Sequence, residues 1–364
     1  MPLILTFLGK GGVGRTTVAI AAAKRLASVG KRVLLAADDS QPAFSLLLNA
    51  PLAPDPQEIA PNLQVVHLKT SVLLDRNWEE VKKLEAQYLR TPVIKDVYGQ
   101  ELVVLPGMDK ALALNAIREY DASGKYDVII YDGSSDATTL RMIGMPESLG
   151  WYSRRFGKLI ADSDIVKTVT PFLQPLISTV LNVSWTGDNF AQPTSKVNNI
   201  LEQGKAALAD PQRLAAYLVT TNDPASVATA RYLWGSAQLV GLTVGGAILN
   251  QTTMTETASV DFSPLAVTAV PTCSAGDWQP LMDALPDFSQ TPPVPKPLEI
   301  DVAARQVRLF LPGFDKKQVK LTQSGGEITV EAGDQRRNVF LPTGLSGRTV
   351  TGAKFQQGYL IISL

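Results

Sequence analysis

The stretch GKGGVGRTT, residues 9–17, constrains the fold more than any other part of this 364-residue chain. The apolar run LILTFL precedes it, and an alanine-rich segment with apolar residues at helical spacing follows it. A short apolar run that ends in glycine is typical of a buried parallel strand, and Gly30 suits the position just after the end of a helix. The sequence therefore predicts a strand, a tight glycine loop and a helix in succession.

The same alternation of strand and helix continues along the chain. Buried-strand patterns recur at KRVLLAADD, YDVIIYDGSSD, AAYLVTTND and VGGAILNQ, with helical patterns between them, the last of these around residues 225–239. Such alternation predicts a doubly wound α/β domain with a mainly parallel sheet, here over residues 1–290. Residues from about 151 to 213 have helical periodicity instead, which predicts a helical subdomain inserted before the strand AAYLVTTND.

The composition changes at the proline-rich stretch SQTPPVPKP. Closely spaced prolines cannot continue a helix or a central strand, so residues 291–297 are predicted to be a stiff linker. Beyond it, apolar and polar residues alternate in runs such as QVRLFLP, EITVEA and YLIISL, separated by glycine turns. This pattern predicts a small all-β sandwich over residues 298–364.

The glycine loop has the residues that phosphate binding requires. A loop between a strand and a helix can turn successive backbone N–H groups toward one anion, and the helix dipole adds positive charge there. The hydroxyl of Thr16, at the start of the helix, can reach Mg²⁺, as in the P-loop motif. We therefore predict a nucleotide site, whose loop residues are Gly11, Gly12, Val13, Gly14, Arg15, Thr16 and Thr17.

Composition excludes several classes of partner and site. The 34 basic and 34 acidic residues cancel and no long basic block occurs, so no nucleic-acid partner is expected. The single cysteine, Cys273, excludes an intrachain disulfide and a thiolate-only zinc site, and fits a reducing, cytoplasmic compartment. The most apolar long segment contains Lys167 and two prolines, so the chain is expected to reach a membrane only indirectly, through a client or receptor.

Lys10 places a second cation early in the loop, so that KGGVGR resembles the deviant Walker A signature. The stretches LPGMDKALALNAIREY, YDVIIYDGSSDATTLRMIGMPESLGWYSRR and AILNQ resemble the family of arsenite-transport and tail-anchored-protein-targeting ATPases. The resemblance covers residues 1–290 and implies a P-loop NTPase sheet, ATP and ADP as ligands, Mg²⁺ and a homodimer. It also implies that Asn250 and Pro271 flank the adenine.

The resemblance further implies roles for three charged residues. Lys10 would reach across the dimer interface and neutralise charge on the partner's nucleotide during phosphoryl transfer. Asp132, at the end of its strand, would be the Walker B carboxylate that holds Mg²⁺ through water. The residue that positions the attacking water would be Asp39 when residues are counted from the preceding strand. Counting back from PAFSL places that position at Gln41 instead, and Asp38 remains an alternative.

Two departures from the family pattern bear on activity. Arg15 stands where such loops carry lysine, and its longer, planar guanidinium does not replace a compact ammonium group in every geometry. Losing one charged hydrogen bond costs about 1.5–3 kcal/mol, so we expect slow hydrolysis, with complete loss of hydrolysis as the alternative. In addition, the segment DGSSDATTLR replaces a Pro-Thr-Gly-His run of the family.

The C-terminal 67 residues resemble the α-crystallin domain of small heat-shock proteins, on the basis of LPGF, a glycine-rich hairpin and GYLIISL. This domain either pairs an edge strand with another chain or packs on the ATPase domain. The leading functional hypothesis is a homodimeric ATPase that couples its nucleotide state to binding of a hydrophobic protein client. The alternative is a nucleotide-binding chaperone or scaffold without enzymatic activity.

Overall fold

The computed structural model describes residues 1–38, 42–88, 107–134, 136–152, 191–252, 256–273, 276–289 and 293–364. Fifteen strands lie in these ranges, and eight of them form one sheet: β1 Leu3–Leu8, β2 Val33–Ala37, β3 Gln57–Ala60, β4 Leu63–His67, β5 Val128–Asp132, β6 Leu214–Thr220, β7 Thr243–Asn250 and β8 Val267–Val270. Their order is β3-β4-β2-β5-β1-β6-β7-β8. Every neighbouring pair is parallel except β3 and β4, which confirms the predicted mainly parallel sheet.

Helices cover both faces of this sheet, as a doubly wound fold requires. Those in the described residues are α1 Arg15–Ser28, α2 Pro42–Leu48, α3 Thr70–Tyr88, α4 Met108–Ala122, α5 Asp136–Ile143, α6 Ala191–Ala209, α7 Pro224–Leu239, α8 Glu256–Asp261 and α9 Gln279–Ala284. One apolar core contains side chains of α4, α5 and α7, and a second contains those of α1 and α9. Gly30 has a φ of 85° just after α1 and donates its N–H to Ala27, as predicted for the residue that follows a helix end.

The predicted helical insert is only partly within the described residues. Its segment 153–190 lies outside them, and α6 forms its C-terminal part before the sheet resumes at Leu214. The helical structure predicted for that segment therefore stays a prediction, as do the domain boundaries. No helix among the described ranges is long and apolar enough to cross a membrane.

The C-terminal residues form a β-sandwich, as predicted. Its strands are β9 Leu298–Asp301, β10 Gln306–Phe310, β11 Val319–Ser324, β12 Glu327–Ala332, β13 Gln335–Phe340, β14 Gly352–Gln356 and β15 Tyr359–Ser363. One antiparallel sheet has the order β14-β15-β10-β9 and the other has the order β11-β12-β13. Alternate residues of the strands, such as Val307, Leu309, Ile328 and Val330, face a common apolar core.

This sandwich packs on α7, as one of the two alternatives predicted. Pairing of an edge strand with another chain stays a prediction. The Trp234 and Phe310 rings lie 5.4 Å apart in an edge-to-face arrangement. Phe310, from the sandwich, belongs to an ATPase-side core, whereas Leu239, from α7, belongs to the sandwich core. Arg337 donates from Nη1 to the Gln238 carbonyl at 3.2 Å, and burial lowers the pKa of Arg337 to about 10.

Residues 293–297, the described part of the predicted linker, have no helix or strand. They contact the ATPase side, because Gln238 donates from Nε2 to the Pro295 carbonyl at 3.3 Å and Val294 packs against an apolar core. Residues 293–297 therefore pack along the ATPase domain.

Candidate functional site

The glycine loop joins β1, at the centre of the sheet, to α1. Gly12 and Gly14 have φ values of 88° and 89°, a backbone conformation that side-chain-bearing residues adopt only with strain. A Cβ atom at Gly14 would also lie 2.3 Å from Asn250 Nδ2, so that position has no room for a side chain. The loop face at Gly11 and Gly12 is open, with no heavy atom within 4 Å of the place of a Cβ atom. An anion can therefore approach the backbone there.

The other predicted loop residues lie around this open face. Val13 is buried, and its carbonyl accepts a hydrogen bond of 2.8 Å from Asn250 Nδ2. Asn250 ends β7, so its amide ties that strand to the loop. Thr17 lies in the first turn of α1 and is half-buried, and Pro271 is exposed directly after β8. The contacts of Asn250 and Pro271 with adenine stay predictions.

The two predicted magnesium ligands meet at the base of the loop. Thr16 donates from its hydroxyl to Asp132 Oδ2 at 2.8 Å. Asp132 is the last residue of β5, and Thr16 lies in the first turn of α1, so the strand end and the helix start converge on one point. A hydroxyl and a buried carboxylate are oxygen ligands of the kind that Mg²⁺ takes in nucleotide sites, where substrate phosphates and waters complete the shell. The donor set fits the ion.

Arg15 lies in an ion pair that the sequence did not reveal. Its Nη1 lies 2.8 Å from Asp136 Oδ1, and the two side chains are 17% and 14% exposed. The same carboxylate oxygen accepts a hydrogen bond of 3.3 Å from the Gly9 backbone. Burial raises the pKa of Asp136, and both contacts oppose that rise. The only sequence signal for Asp136 was that it lies in the segment that departs from the family's Pro-Thr-Gly-His run.

Lys10 occupies the exposed side of the loop. Its side chain is 47% exposed, and its Nζ lies 3.6 Å from Asp223 Oδ2. Asp223 caps the N-terminus of α7 and accepts from the Ser226 backbone. The predicted contact of Lys10 with a partner's nucleotide stays a prediction, and the exposure of its side chain leaves that contact sterically open.

Asp38 lies in a buried polar cluster at the end of β2. Its Oδ2 atom pairs with Lys110 Nζ and accepts hydrogen bonds from Tyr131 at 3.1 Å and from Ser134 at 3.0 Å. Burial raises the pKa of the Tyr131 phenol well above its usual range, and the Asp38 charge adds to the rise. These contacts fix Asp38 inside the protein. Asp39, the predicted water-positioning residue, lies outside the described residues, so its role stays a prediction.

Comparisons with known proteins agree with the sheet and the sandwich. A family model described as Anion-transporting ATPase matches residues 3–265, and one described as an HSP20-like domain found in ArsA matches residues 303–364. A homologue named arsenical pump-driving ATPase from Chlorobaculum tepidum is 25% identical over 396 residues, which cover 99% of this chain and 95% of that protein.

Two further relatives extend the comparison. A second protein named arsenical pump-driving ATPase, from Aquifex aeolicus, is 22% identical and covers 99% of both chains. The protein named ATPase get3 from Schizosaccharomyces pombe is 25% identical over 198 residues, covering 51% of this chain and 59% of its own. Because the first family model matches more than half of the chain, the protein belongs to the anion-transporting ATPase family.

Proposed function

We propose that this protein is a cytoplasmic, homodimeric ATPase that binds and slowly hydrolyses ATP and couples its nucleotide state to the binding of a hydrophobic protein client. Membership of the family implies nucleotide binding. The observation that carries the proposal is the contact of Thr16 with Asp132 beneath an open glycine loop. An anion cradle beside a hydroxyl and a carboxylate is the arrangement that a magnesium nucleotide needs.

Each residue of the site has a defined task in this proposal. The loop amides and the α1 dipole hold the phosphates, and Asn250 keeps the loop in shape from behind. Thr16 and Asp132 would hold Mg²⁺, which supplies charge neutralisation at the phosphate oxygens when bound. Lys10 would add positive charge from the partner subunit, and Asp39 would orient the attacking water.

Two observations support the client and the dimer. We propose the helical insert as the region that binds the client. Leu149 and Tyr152 are exposed where the chain enters this insert, at 42% and 55%, so apolar surface borders it. The long side chain of Lys10 is exposed on the loop, where a second copy of the chain can meet it. Relatives named ATPase get3 and arsenical pump-driving ATPase support ATP as the substrate.

A second candidate function is a scaffold that binds nucleotide without hydrolysing it. The observation in its favour is that Asp136 engages Arg15, the cation expected at the phosphates. In that case nucleotide would stabilise one shape of the dimer and would dissociate without being hydrolysed.

Calorimetric titration with magnesium ADP and magnesium ATP, together with ATP turnover and a mass measurement of the assembly in each state, tests the proposal. We expect binding of both nucleotides, a dimer and slow turnover. Lys10→Ala should lower turnover more than binding, and Arg15→Lys should raise turnover. Lys317→Ala, an exposed lysine of the sandwich, is the control and should change neither quantity. An unchanged rate in both loop variants would remove the loop from the mechanism, and binding without turnover would favour the scaffold.

A further inference from the structure

A carboxylate of the protein itself, that of Asp136, pairs with Arg15 of the nucleotide loop. Asp136 Oδ1 contacts Arg15 Nη1 at 2.8 Å and the backbone N–H of Gly9 at 3.3 Å. Arg15 begins α1, at the helix N-terminus where phosphate would bind, and Asp136 begins α5 after the loop that follows Asp132. A carboxylate thereby already neutralises the charge that the loop would offer to a nucleotide.

We propose that Asp136 is a positioning residue that competes with the nucleotide's phosphates for Arg15, so that binding exchanges a carboxylate for a phosphate. This inference rests on the proposed nucleotide-binding function. The competition lowers the affinity for nucleotide, because part of the binding free energy is used to break an ion pair that exists before the nucleotide arrives. It also links the phosphates to α5, since the phosphate that takes Arg15 removes a contact from the first residue of that helix.

Burial makes this competition consequential. Ion pairs at the surface are worth little, but a largely buried pair that loses one partner leaves an uncompensated charge in a poorly solvated place. Removal of the Asp136 charge would therefore leave Arg15 unpaired in the nucleotide-free protein, and a bound phosphate would relieve that deficit. The nucleotide would bind more tightly even though the free protein is less stable.

The experiment is equilibrium titration of the full chain with magnesium ADP, comparing the wild type with Asp136→Asn. The variant keeps the shape of the side chain and removes its charge. We expect a dissociation constant at least about tenfold lower, the low end of what a hydrogen bond to a charged group is worth. The control is Asp121→Asn, because Asp121 pairs with Arg213 at 3.0 Å and the pair is similarly buried, at 21% and 16% exposure. Arg213 directly precedes β6 and lies at the N-terminal ends of the strands, whereas the loop lies at their C-terminal ends. The control should therefore leave the affinity for magnesium ADP unchanged.

Two further variants separate competition from a merely structural role. Asp136→Glu retains the charge and should return affinity toward that of the wild type. In an Arg15→Met background, Asp136→Asn should no longer tighten binding, because the competition acts through Arg15. Melting temperatures give an independent readout: Asp136→Asn should melt earlier without nucleotide and show a larger rise on addition of magnesium ADP. A structural role alone would lower both melting temperatures equally.

Failure of this inference and failure of the proposed function give different results. Wild-type binding with no tightening in Asp136→Asn, or equal tightening in Asp121→Asn, overturns the inference and leaves the nucleotide site intact. Tightening that persists in the Arg15→Met background also overturns it. Binding by Asp136→Asn and not by the wild type supports it in its strongest form. Absence of binding in every variant overturns the proposed function itself.

Discussion

Gly235, four residues before the end of α7, is the position where one added methyl group should loosen the contact between the ATPase domain and the sandwich. A Cβ atom there would lie 2.2 Å from the Pro312 carbonyl oxygen and 2.6 Å from the Phe314 ring. The ring could turn aside, but the carbonyl belongs to the backbone and cannot move alone. The helix and the segment after β10 must therefore shift apart if alanine is introduced.

Gly235→Ala should change the free energy of unfolding in the direction opposite to the same substitution in an ordinary helix. In an ordinary helix interior the change from glycine to alanine stabilises a protein by about 1 kcal/mol. Overpacking in a well-packed core costs about 1–3 kcal/mol, and the overlap with backbone atoms places this site toward the upper end. We expect a net loss of about 1–2 kcal/mol in the free energy of unfolding.

Equilibrium unfolding in urea, followed by tryptophan fluorescence and by circular dichroism, measures this loss. Thr229→Ala on the same helix is the control, since Thr229 is half-buried and its hydroxyl donates within α7, to the Ala225 carbonyl at 2.7 Å. That control should be neutral or slightly stabilising, because alanine is the better helix former. If Gly235→Ala is as stable as the wild type or more stable, the sandwich does not rest on α7 at this point and the packing argument is wrong.

Two further predictions concern charged groups that lie away from the contact between the ATPase domain and the sandwich. Lys110→Met should lower the free energy of unfolding by about 3–5 kcal/mol, because it leaves the Asp38 carboxylate buried without its cation. In urea unfolding, the double variant Lys110→Met with Asp38→Asn should recover part of this loss. Equal losses in the single and the double variant would contradict the pairing. Hydrogen bonds from Arg32 lower the pKa of Asp127 to about 2, below its usual 3.8. The carboxylate therefore stabilises the fold above pH 3.8, and this contribution is lost as the pH falls toward 2. Asp127→Asn should cost at most about 1 kcal/mol at pH 6 and less at pH 3, since the pair is exposed; a cost that grows on acidification would refute the assignment.

The parts of the fold that follow from local sequence could be predicted. Runs such as LILTFL are long enough and apolar enough to specify buried strands, and the glycine loop between such a run and an alanine-rich segment specifies a phosphate-binding turn. Alternation after the prolines specified the sandwich. The short edge strands β3 and β8 were not predicted, because four residues at the edge of a sheet do not make a distinctive pattern.

The charge partners in the site could not be predicted, because they depend on tertiary packing. Asp136 lies 121 residues from Arg15 in the chain, and Lys110 lies 72 residues from Asp38. Their contacts depend on β5 lying between β1 and β2 in the sheet, which places three separate segments at one edge. Arg15 is unusual already in the sequence, but its ion-pair partner Asp136 is brought to it only by the tertiary fold.

The exchange of Phe310 and Leu239 between the two cores has a consequence for how such chains can be recombined. Each half completes the other's interior, so the sandwich is not an interchangeable cassette that could be grafted onto a different ATPase by joining linkers. A sandwich from another protein would place a different aromatic side chain against α7, so that Gly235 would have to change as well. The two halves are therefore expected to diverge in step, with substitutions on α7 matched by substitutions around β10.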